Sequence, residues 1–216
     1  MARLRIGVLI SGRGSNLQAL IDAAAEPLYP AEIVTVIGNR AEAAGLARAA
    51  SAGIPHLVIA DADRAAFARA ADAALRAARV ELVALAGFMR ILDTGFVASW
   101  TDRMVNIHPS LLPSFPGLHP QRQALAAGVK FSGCTVHFVR AAVDTGPIIA
   151  QAAVPVEDGD DEIRLAARIL AAEHRLYPLA VRLFAEGKLR IDGERVFVAG
   201  GAAPDISLLN PSGGLT

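Results

Sequence analysis

Short apolar runs alternate along the chain with longer alanine-rich stretches that carry charged residues at helical spacing. Apolar runs of about four to eight residues are typical of buried strands, and the alanine-rich stretches are typical of amphipathic helices. Strands that alternate with helices pack as a parallel sheet covered by helices on its faces. In the first half of the chain, this pattern predicts strands at residues 4–10, 32–37, 56–59, 80–85 and 103–107, separated by helices at residues 16–25, 41–52 and 63–78.

The second half of the chain has a different pattern. Residues 131–140 and 147–154 are predicted to be two strands joined by a turn at Asp144. Residues 162–186 are predicted to be a long helix that is interrupted near Pro178, because proline lacks the N–H donor of a helical residue. This half therefore adds an antiparallel pair of strands and a covering helix.

A small hairpin is predicted for residues 190–198, turning through Asp192 and Gly193. Beyond it, residues 199–216 are rich in Gly, Ala and Pro and are predicted to be a disordered tail. We therefore expect one α/β domain over residues 1–198. Its fold class is an open, mostly parallel Rossmann-like sheet flanked by helices, with the antiparallel pair in the C-terminal half.

The composition of the chain limits the kinds of molecule that the protein is expected to bind. The 216 residues are 53% hydrophobic and 19% charged, which suits a chain with a sizeable core. The 21 acidic and 21 basic side chains balance, which argues against a nucleic-acid partner. No apolar stretch approaches the roughly 20 residues of a membrane span. We therefore expect a cytoplasmic protein, either a monomer or a homodimer, with small-molecule substrates and no membrane partner.

Cysteine and histidine give no sign of a metal site. Cys134 is the single cysteine, so a disulfide within the chain and a cysteine-rich zinc site are both excluded. It falls within a predicted strand, which favours a buried thiol over a nucleophile. The five histidines lack metal-ligand spacing. We predict no metal.

A glycine-rich turn follows the first predicted strand and opens the first helix. Backbone N–H groups of residues 12–16 could hold an anion such as a phosphate there. The turn departs from the dinucleotide fingerprint, since Leu17 replaces the third glycine and Asn39 stands where an acidic residue would bind an NAD ribose. A single phosphate is favoured over a pyrophosphate, and a tight connection without a ligand remains the alternative.

The end of the fifth predicted strand carries the candidate chemistry. Asn106 and His108 lie two residues apart, so both side chains leave the same face of a strand. An amide N–H and an imidazolium N–H could hold a developing oxyanion, and a nearby carboxylate, such as Asp144, would favour the protonated imidazole. No nucleophile accompanies them, which suits direct acyl transfer. Each residue taken singly could serve a turn or an ordinary hydrogen bond, but the set together favours function.

Several motifs extend this set into a family resemblance. In order and spacing from about residue 4 to residue 198, the chain resembles the phosphoribosylglycinamide formyltransferase family, the folate-dependent enzymes of purine synthesis. The motifs that carry the resemblance are residues 11–20, 85–92, 106–113, 115–119, 137–139 and 144–147.

The resemblance implies a reaction. A formyl group would pass from 10-formyltetrahydrofolate to the amine of glycinamide ribonucleotide, giving formylglycinamide ribonucleotide and tetrahydrofolate in de novo purine biosynthesis. It also implies site residues. The catalytic set falls on Asn106, His108 and Asp144, and the ribonucleotide contacts fall on Gly14, Ser15, Asn16 and Glu173.

On the folate side, the resemblance implies that backbone groups read the pterin edge and that Arg64 meets the benzoyl-glutamate end. The implied folate residues are Arg64, Met89, Arg90, Ile91, Leu92, Arg140, Ala141, Ala142, Val143 and Asp144. Gln121 and Leu170 depart from the residue types usual in the family, which affects details of substrate contacts.

Three other functions remain open at this stage. The first is formyltetrahydrofolate hydrolase, which uses a similar catalytic set, although the phosphate loop favours a ribonucleotide acceptor. The second is a non-catalytic nucleotide- or folate-binding module, which would bind ligands without turnover. The third is a reductase that uses the glycine turn for NAD.

Overall fold

A seven-stranded sheet forms the centre of the molecule in the computed structural model, which describes residues 2–201 and 208–210. The strands lie in the order β3-β2-β1-β4-β5-β6-β7, and a separate two-stranded sheet pairs β8 with β9. In chain order, the strands are β1 Leu4–Ile10, β2 Ala31–Gly38, β3 His56–Val58, β4 Leu82–Leu85, β5 Met104–His108, β6 Phe131–Phe138, β7 Ile148–Pro155, β8 Leu189–Asp192 and β9 Arg195–Val198.

Helices connect most of these strands. They are α1 Ser15–Ala25, α2 Ala44–Ser51, α3 Arg64–Ala77, α4 Thr94–Ser99, α5 Pro120–Ala126 and α6 Glu162–Ala185. The predicted elements agree with these bounds to within three residues. Strands β1 to β5 pair in parallel, whereas β6 pairs antiparallel with both β5 and β7. The predicted fold class is confirmed.

The strand order places a crevice at the carboxyl edge of the sheet. The chain runs outward from β1 to β3 and then returns to the other side of β1 with β4. The connections after β1 and β4 therefore diverge, and such a switch point is where open α/β sheets bind ligands. Both the glycine turn after β1 and the segment after β4 lie at this point.

Apolar side chains cover both faces of the sheet. One face packs against α1 and α6, with Leu17, Leu165 and Tyr177 fully buried. The other packs against α3 and α4, with Phe67 and Trp100 buried. Burial of this kind contributes roughly 25 cal/mol per Å² of apolar surface removed from water, so the two clusters hold the helices to the sheet.

The predicted interruption of α6 near Pro178 is wrong, because the helix runs without a break to Ala185. Proline removes one intrahelical donor, but Leu176, Tyr177 and Val181 are buried around it and hold this stretch against the sheet. Packing therefore outweighs one lost hydrogen bond. The carbonyl oxygen of Pro178 itself accepts a hydrogen bond of 2.9 Å from the hydroxyl of Tyr29.

Two short helices, α4 and α5, were not predicted. Asp93 caps α4 by accepting hydrogen bonds from the N–H groups of Gly95 and Phe96. Pro120 begins α5, where its missing N–H costs nothing. Both helices are too short to show a helical repeat, so only their capping residues could have indicated them.

The predicted tail falls mostly outside the described residues, because residues 202–207 and 211–216 are not among them. Its disorder stays a prediction. Within the described part, the Asn210 amide donates to the carbonyl oxygens of Lys130 and Val156, at 2.6 and 2.9 Å. None of the helices described has the length and apolar character required to cross a membrane.

Gly133 lies in β6 opposite Ala153 of β7. A Cβ atom there would lie 1.9 Å from the carbonyl oxygen of Ala152, which is backbone and cannot rotate away. We expect Gly133→Ala to lower the free energy of unfolding by about 3 kcal/mol. Urea denaturation measures this loss. The matched control is Gly159→Ala, whose nearest atom beyond its neighbours is the end of a flexible arginine at 3.8 Å; equal stability of the two variants would contradict the prediction.

Candidate active site

Strand β5 presents the catalytic candidates. Asn106 and His108 project from one face of it, as the spacing predicted, and their antiparallel partners on β6 are His137 and Thr135. His108 is only 6% exposed, whereas Asn106 is half-buried. The face therefore carries a small polar group of side chains within an otherwise apolar sheet.

Both nitrogen atoms of His108 face oxygen acceptors. Nδ1 lies 3.4 Å from the Asp144 carboxylate, and Nε2 lies 3.1 Å from the carbonyl oxygen of Phe115. A neutral imidazole could donate to only one of them, whereas an imidazolium donates to both. Each ring nitrogen of His108 therefore has an oxygen atom within reach.

Asp144 reaches His108 from the loop between β6 and β7. The same oxygen, Oδ2, accepts a hydrogen bond of 2.7 Å from the N–H of Gly117. Asp144 itself has a φ of 51°, in the left-handed region that is unfavourable for most residues. One carboxylate oxygen thus joins two loops at the imidazole, at the expense of local backbone strain.

His137 fixes the orientation of the Asn106 amide. Its Nδ1 lies 2.9 Å from the Phe138 carbonyl oxygen and its Nε2 lies 3.3 Å from Asn106 Nδ2. Burial lowers the pKa of His137, so the ring is neutral at pH 7. Nδ1 then carries the proton, Nε2 accepts from the amide, and the second N–H of Asn106 stays available to a ligand.

The sequence reasoning missed His137 as part of the site. Its motif contributed to the family resemblance, but no role was assigned to its side chain. The available signal was the register of two adjacent antiparallel strands, which places His137 opposite Asn106.

A cleft of about 880 Å³ opens beside β5 at the carboxyl edge of the sheet. Its lining includes all four residues expected to bind the ribonucleotide, Gly14, Ser15, Asn16 and Glu173, together with Gln121 and Leu170. Ile107 and Pro109, which flank His108 in the chain, also line it. The catalytic candidates themselves lie next to this lining, on the opposite face of β5.

The wall of the cleft formed by residues 12–16 suits an anion. The backbone N–H groups of Arg13 and Gly14 donate to no atom of the described residues, and those of the first turn of α1 have no partner within the helix. The helix dipole adds positive potential at this end. Arg13 and Arg40 also line the cleft.

Glu173 and Asn16 form a buried polar pair in this cleft. Asn16 Nδ2 donates to Glu173 Oε2 at 2.8 Å, and burial raises the pKa of Glu173 despite that hydrogen bond. Asn16 Oδ1 is buried and accepts no hydrogen bond from the described residues. An unpartnered acceptor beside a carboxylate is the arrangement that hydroxyl donors of a ligand would satisfy.

The segment after β4, residues 89–92, contains backbone N–H and C=O groups that have no hydrogen-bond partner among the described residues. Met89 uses its N–H to donate to the hydroxyl of Ser11 at 2.8 Å. The N–H and C=O groups of Arg90, Ile91 and Leu92 form no hydrogen bond with the described residues. Met89 and Ile91 expose 71% and 59% of their surface. This mixture of free donors, free acceptors and exposed apolar surface suits a flat heterocycle with a polar edge.

Two of the arginines expected near the folate, Arg90 and Arg140, use their side chains in contacts within the protein. The guanidinium of Arg90 donates to the carbonyl oxygens of Asp61 and Ala62 and lies over the ring of Phe67. That of Arg140 donates to Asp102 at 2.8 Å. Both side chains therefore hold neighbouring loops.

The remaining folate candidates are exposed. Arg64 lies in solvent at the start of α3, and the side chains of Ala141, Ala142 and Val143 are exposed in the loop that carries Asp144. The described residues contain no cluster of His, Cys, Asp and Glu that could hold a metal ion. Cys134 is buried, and burial raises the pKa of its thiol to about 12.

A mostly parallel sheet with a turn suited to an anion, a free amide donor and an imidazole beside a carboxylate carries groups of the kind that acyl transfer without a covalent enzyme intermediate requires. Comparison with known proteins agrees with this class. The chain belongs to the formyl transferase family, whose sequence profile matches residues 4–181.

Individual relatives are closely similar. The chain is 45% identical over 212 residues to phosphoribosylglycinamide formyltransferase of Escherichia coli strain K12, covering 94% of this chain and 100% of that protein. It is 57% identical over 194 residues to the trifunctional purine biosynthetic protein adenosine-3 of Drosophila pseudoobscura pseudoobscura. That match covers 87% of this chain but only 14% of the larger protein.

Among solved structures, glycinamide ribonucleotide transformylase 1 from Symbiobacterium toebii superimposes with a TM-score of 0.88 at 54% sequence identity. The match covers 91% of this chain and 94% of that structure. At this identity and TM-score, the two proteins share their overall fold.

The buried carboxyl of Glu173 predicts a pH-dependent stability change. Its pKa is raised by burial, so it stabilises the fold below the pKa of the unfolded state, and that contribution is lost as the pH rises through the folded-state pKa. We expect Glu173→Gln, which keeps an acceptor for Asn16, to increase the free energy of unfolding at pH 7. The gain should disappear near pH 4.

Denaturant unfolding across this pH range measures the effect. The control is Glu42→Gln, an exposed carboxyl for which we expect little change at either pH. A Glu173→Gln gain that is the same at pH 4 and pH 7 would show that ionisation is not its cause.

Proposed function

We propose that this protein transfers a formyl group from 10-formyltetrahydrofolate to the amine of glycinamide ribonucleotide, in purine biosynthesis. The observation that carries the proposal is that the cleft suited to an anion is lined by Ile107 and Pro109, the chain neighbours of His108, at the end of β5. A phosphorylated acceptor held by residues 12–16 could extend along Glu173 toward β5. Family membership and the names of similar proteins support the same reaction.

The proposed chemistry begins with attack of the acceptor amine on the formyl carbon. The carbon–oxygen double bond opens to an oxyanion, and Asn106 Nδ2 and His108 Nε2 donate hydrogen bonds to it. His108 Nε2 faces the carbonyl oxygen of Phe115 in the described structure. An oxyanion is a stronger acceptor than a carbonyl oxygen, so it would displace that contact.

Asp144 supports this step in two ways. Its carboxylate, 3.4 Å from His108 Nδ1, stabilises the imidazolium that faces the oxyanion. It also accepts the amine proton, through water, as the new carbon–nitrogen bond forms. Collapse of the tetrahedral intermediate re-forms the carbonyl and breaks the bond to the folate nitrogen, which takes up a proton as tetrahydrofolate leaves.

The folate cosubstrate fits the segment after β4. Unpaired backbone groups of Arg90, Ile91 and Leu92 supply donors and acceptors for a pterin edge. Arg64, exposed at the start of α3, would attract the glutamate carboxylates. Residues 140–144 would close the other side through their backbone, since the Arg140 side chain is held by Asp102.

An acceptor-dependence assay tests the proposal. Loss of the formyl group from 10-formyltetrahydrofolate is followed by absorbance with and without glycinamide ribonucleotide. We expect deformylation only with the ribonucleotide, accompanied by formylated product. Deformylation without the acceptor would assign the protein as a formyltetrahydrofolate hydrolase, and binding of both ligands without turnover would leave a binding module.

His108 should act mainly in the transition state. We expect His108→Ala to lower kcat by roughly a hundredfold or more, with the Kd for glycinamide ribonucleotide within about twofold of the original. Steady-state kinetics and calorimetric titration measure the two quantities. The matched control is His56→Ala, an exposed histidine on β3, which should retain normal turnover. Unchanged kcat in His108→Ala would remove this residue from the mechanism.

A further inference from the structure

We propose that Gly45 and Arg48 of helix α2 are positioning residues for the anion-binding turn, which they hold with its N–H groups facing the cleft. The inference deepens the proposed function, since it rests on the turn binding a phosphate. Neither residue lines the cleft. Both contact the back of the turn.

Two consecutive carbonyl groups of the turn are tied to α2. The Gly45 N–H donates to the Gly12 carbonyl oxygen at 3.0 Å, and Arg48 Nε–H donates to the Arg13 carbonyl oxygen at 3.0 Å. Arg48 is held in turn by Nη1, which donates to Gln18 on α1 at 3.1 Å. Arg48 thus links α2, the turn and α1.

These two hydrogen bonds fix the direction of the N–H group in each of the two peptide units. In a trans peptide, the C=O and N–H groups point in opposite directions. Since the carbonyl groups of Gly12 and Arg13 point to α2, the N–H groups of Arg13 and Gly14 point away from it. These are the N–H groups without a partner in the described residues, and both residues line the cleft.

Close packing reinforces the hydrogen bonds. A Cβ atom at Gly45 would lie 2.7 Å from Ile10 Cδ1 and 3.2 Å from Gly14 Cα. A Cβ atom at Gly14, whose φ is 70°, would lie 2.6 Å from Gly45 Cα. The turn and α2 therefore approach at a distance that only a pair of glycines permits.

Without this support, the turn would have to be ordered by the ligand itself. Fixing a peptide in one orientation costs roughly 1 kcal/mol or more in conformational entropy, and a preorganised loop avoids that cost at the moment of binding. The expected defect is therefore weaker binding of the phosphate, with the chemical step preserved.

Three variants test the inference. Arg48→Met removes the hydrogen bond and the charge, Arg48→Lys retains the charge, and Gly45→Ala separates α2 from the turn. We expect Arg48→Met and Gly45→Ala to raise the Kd for glycinamide ribonucleotide roughly three- to tenfold, with kcat at saturation within about twofold. Arg48→Lys should recover the original Kd only in part, and full recovery would overturn the hydrogen-bond role.

Matched controls separate this effect from general damage. Arg69→Met removes an exposed arginine on α3, and Gly159→Ala adds a methyl group whose nearest atom is the end of a flexible arginine at 3.8 Å. Both should leave the Kd unchanged. If Arg48→Met binds as tightly as the original protein, Arg48 does not position the turn.

Inorganic phosphate provides a probe that is independent of formyl transfer. In ¹H–¹⁵N spectra of the original protein, phosphate should shift the amide signals of Arg13 and Gly14, and Arg48→Met should need roughly three- to tenfold more phosphate for the same shift. Amides that do not respond in the original protein would overturn the inference. A third outcome separates the two proposals. If phosphate shifts these amide signals, and Arg48→Met weakens the response, but the original protein does not transfer a formyl group, the proposed function is rejected and this inference stands.

Discussion

The geometry of the site depends on the position of β5 between a parallel and an antiparallel neighbour. β4 pairs with one edge and β6 with the other. The antiparallel pairing places His137 beside Asn106 and orders its amide, while the following loop brings Asp144 back to His108. An all-parallel sheet would have covered this edge with a crossover helix. The switch of direction after β5 therefore creates the space in which a reactive group can be held.

Helix α6 connects the two halves of the site. Tyr177 is fully buried and donates to the carbonyl oxygens of Leu85 and Val105, at 3.0 and 3.2 Å, which fixes α6 against β4 and β5. One turn earlier on the same helix, Glu173 meets Asn16 of α1. Helix α6 thus contacts both α1, which follows the glycine turn, and strand β5, which carries the candidate catalytic residues.

Much of the fold could be predicted from local pattern. Apolar runs and alanine-rich stretches indicated the seven strands of the main sheet and four long helices at nearly their observed positions, because long buried elements carry strong periodicity. The Asp192-Gly193 turn indicated the small hairpin. The short helices α4 and α5 carry none. The break expected at Pro178 is absent because packing on both sides of it holds the helix. For the candidate site, the spacing of Asn106 and His108 placed both on one face, whereas the partners of the Arg90 and Arg140 side chains could not be inferred.

The sequence by itself determined the types of chemical group available and their local directions: an amide and an imidazole two residues apart on a strand, glycines after the first strand, and the motifs of one enzyme family. Only the tertiary structure decided which distant groups meet. The contacts of His108 with Asp144 and of Asn106 with His137, and the support of the anion-binding turn by Arg48, join residues 31 to 36 positions apart. Such contacts depend on strand order and register, which are set by the packing of the whole sheet and leave no local periodicity in the chain.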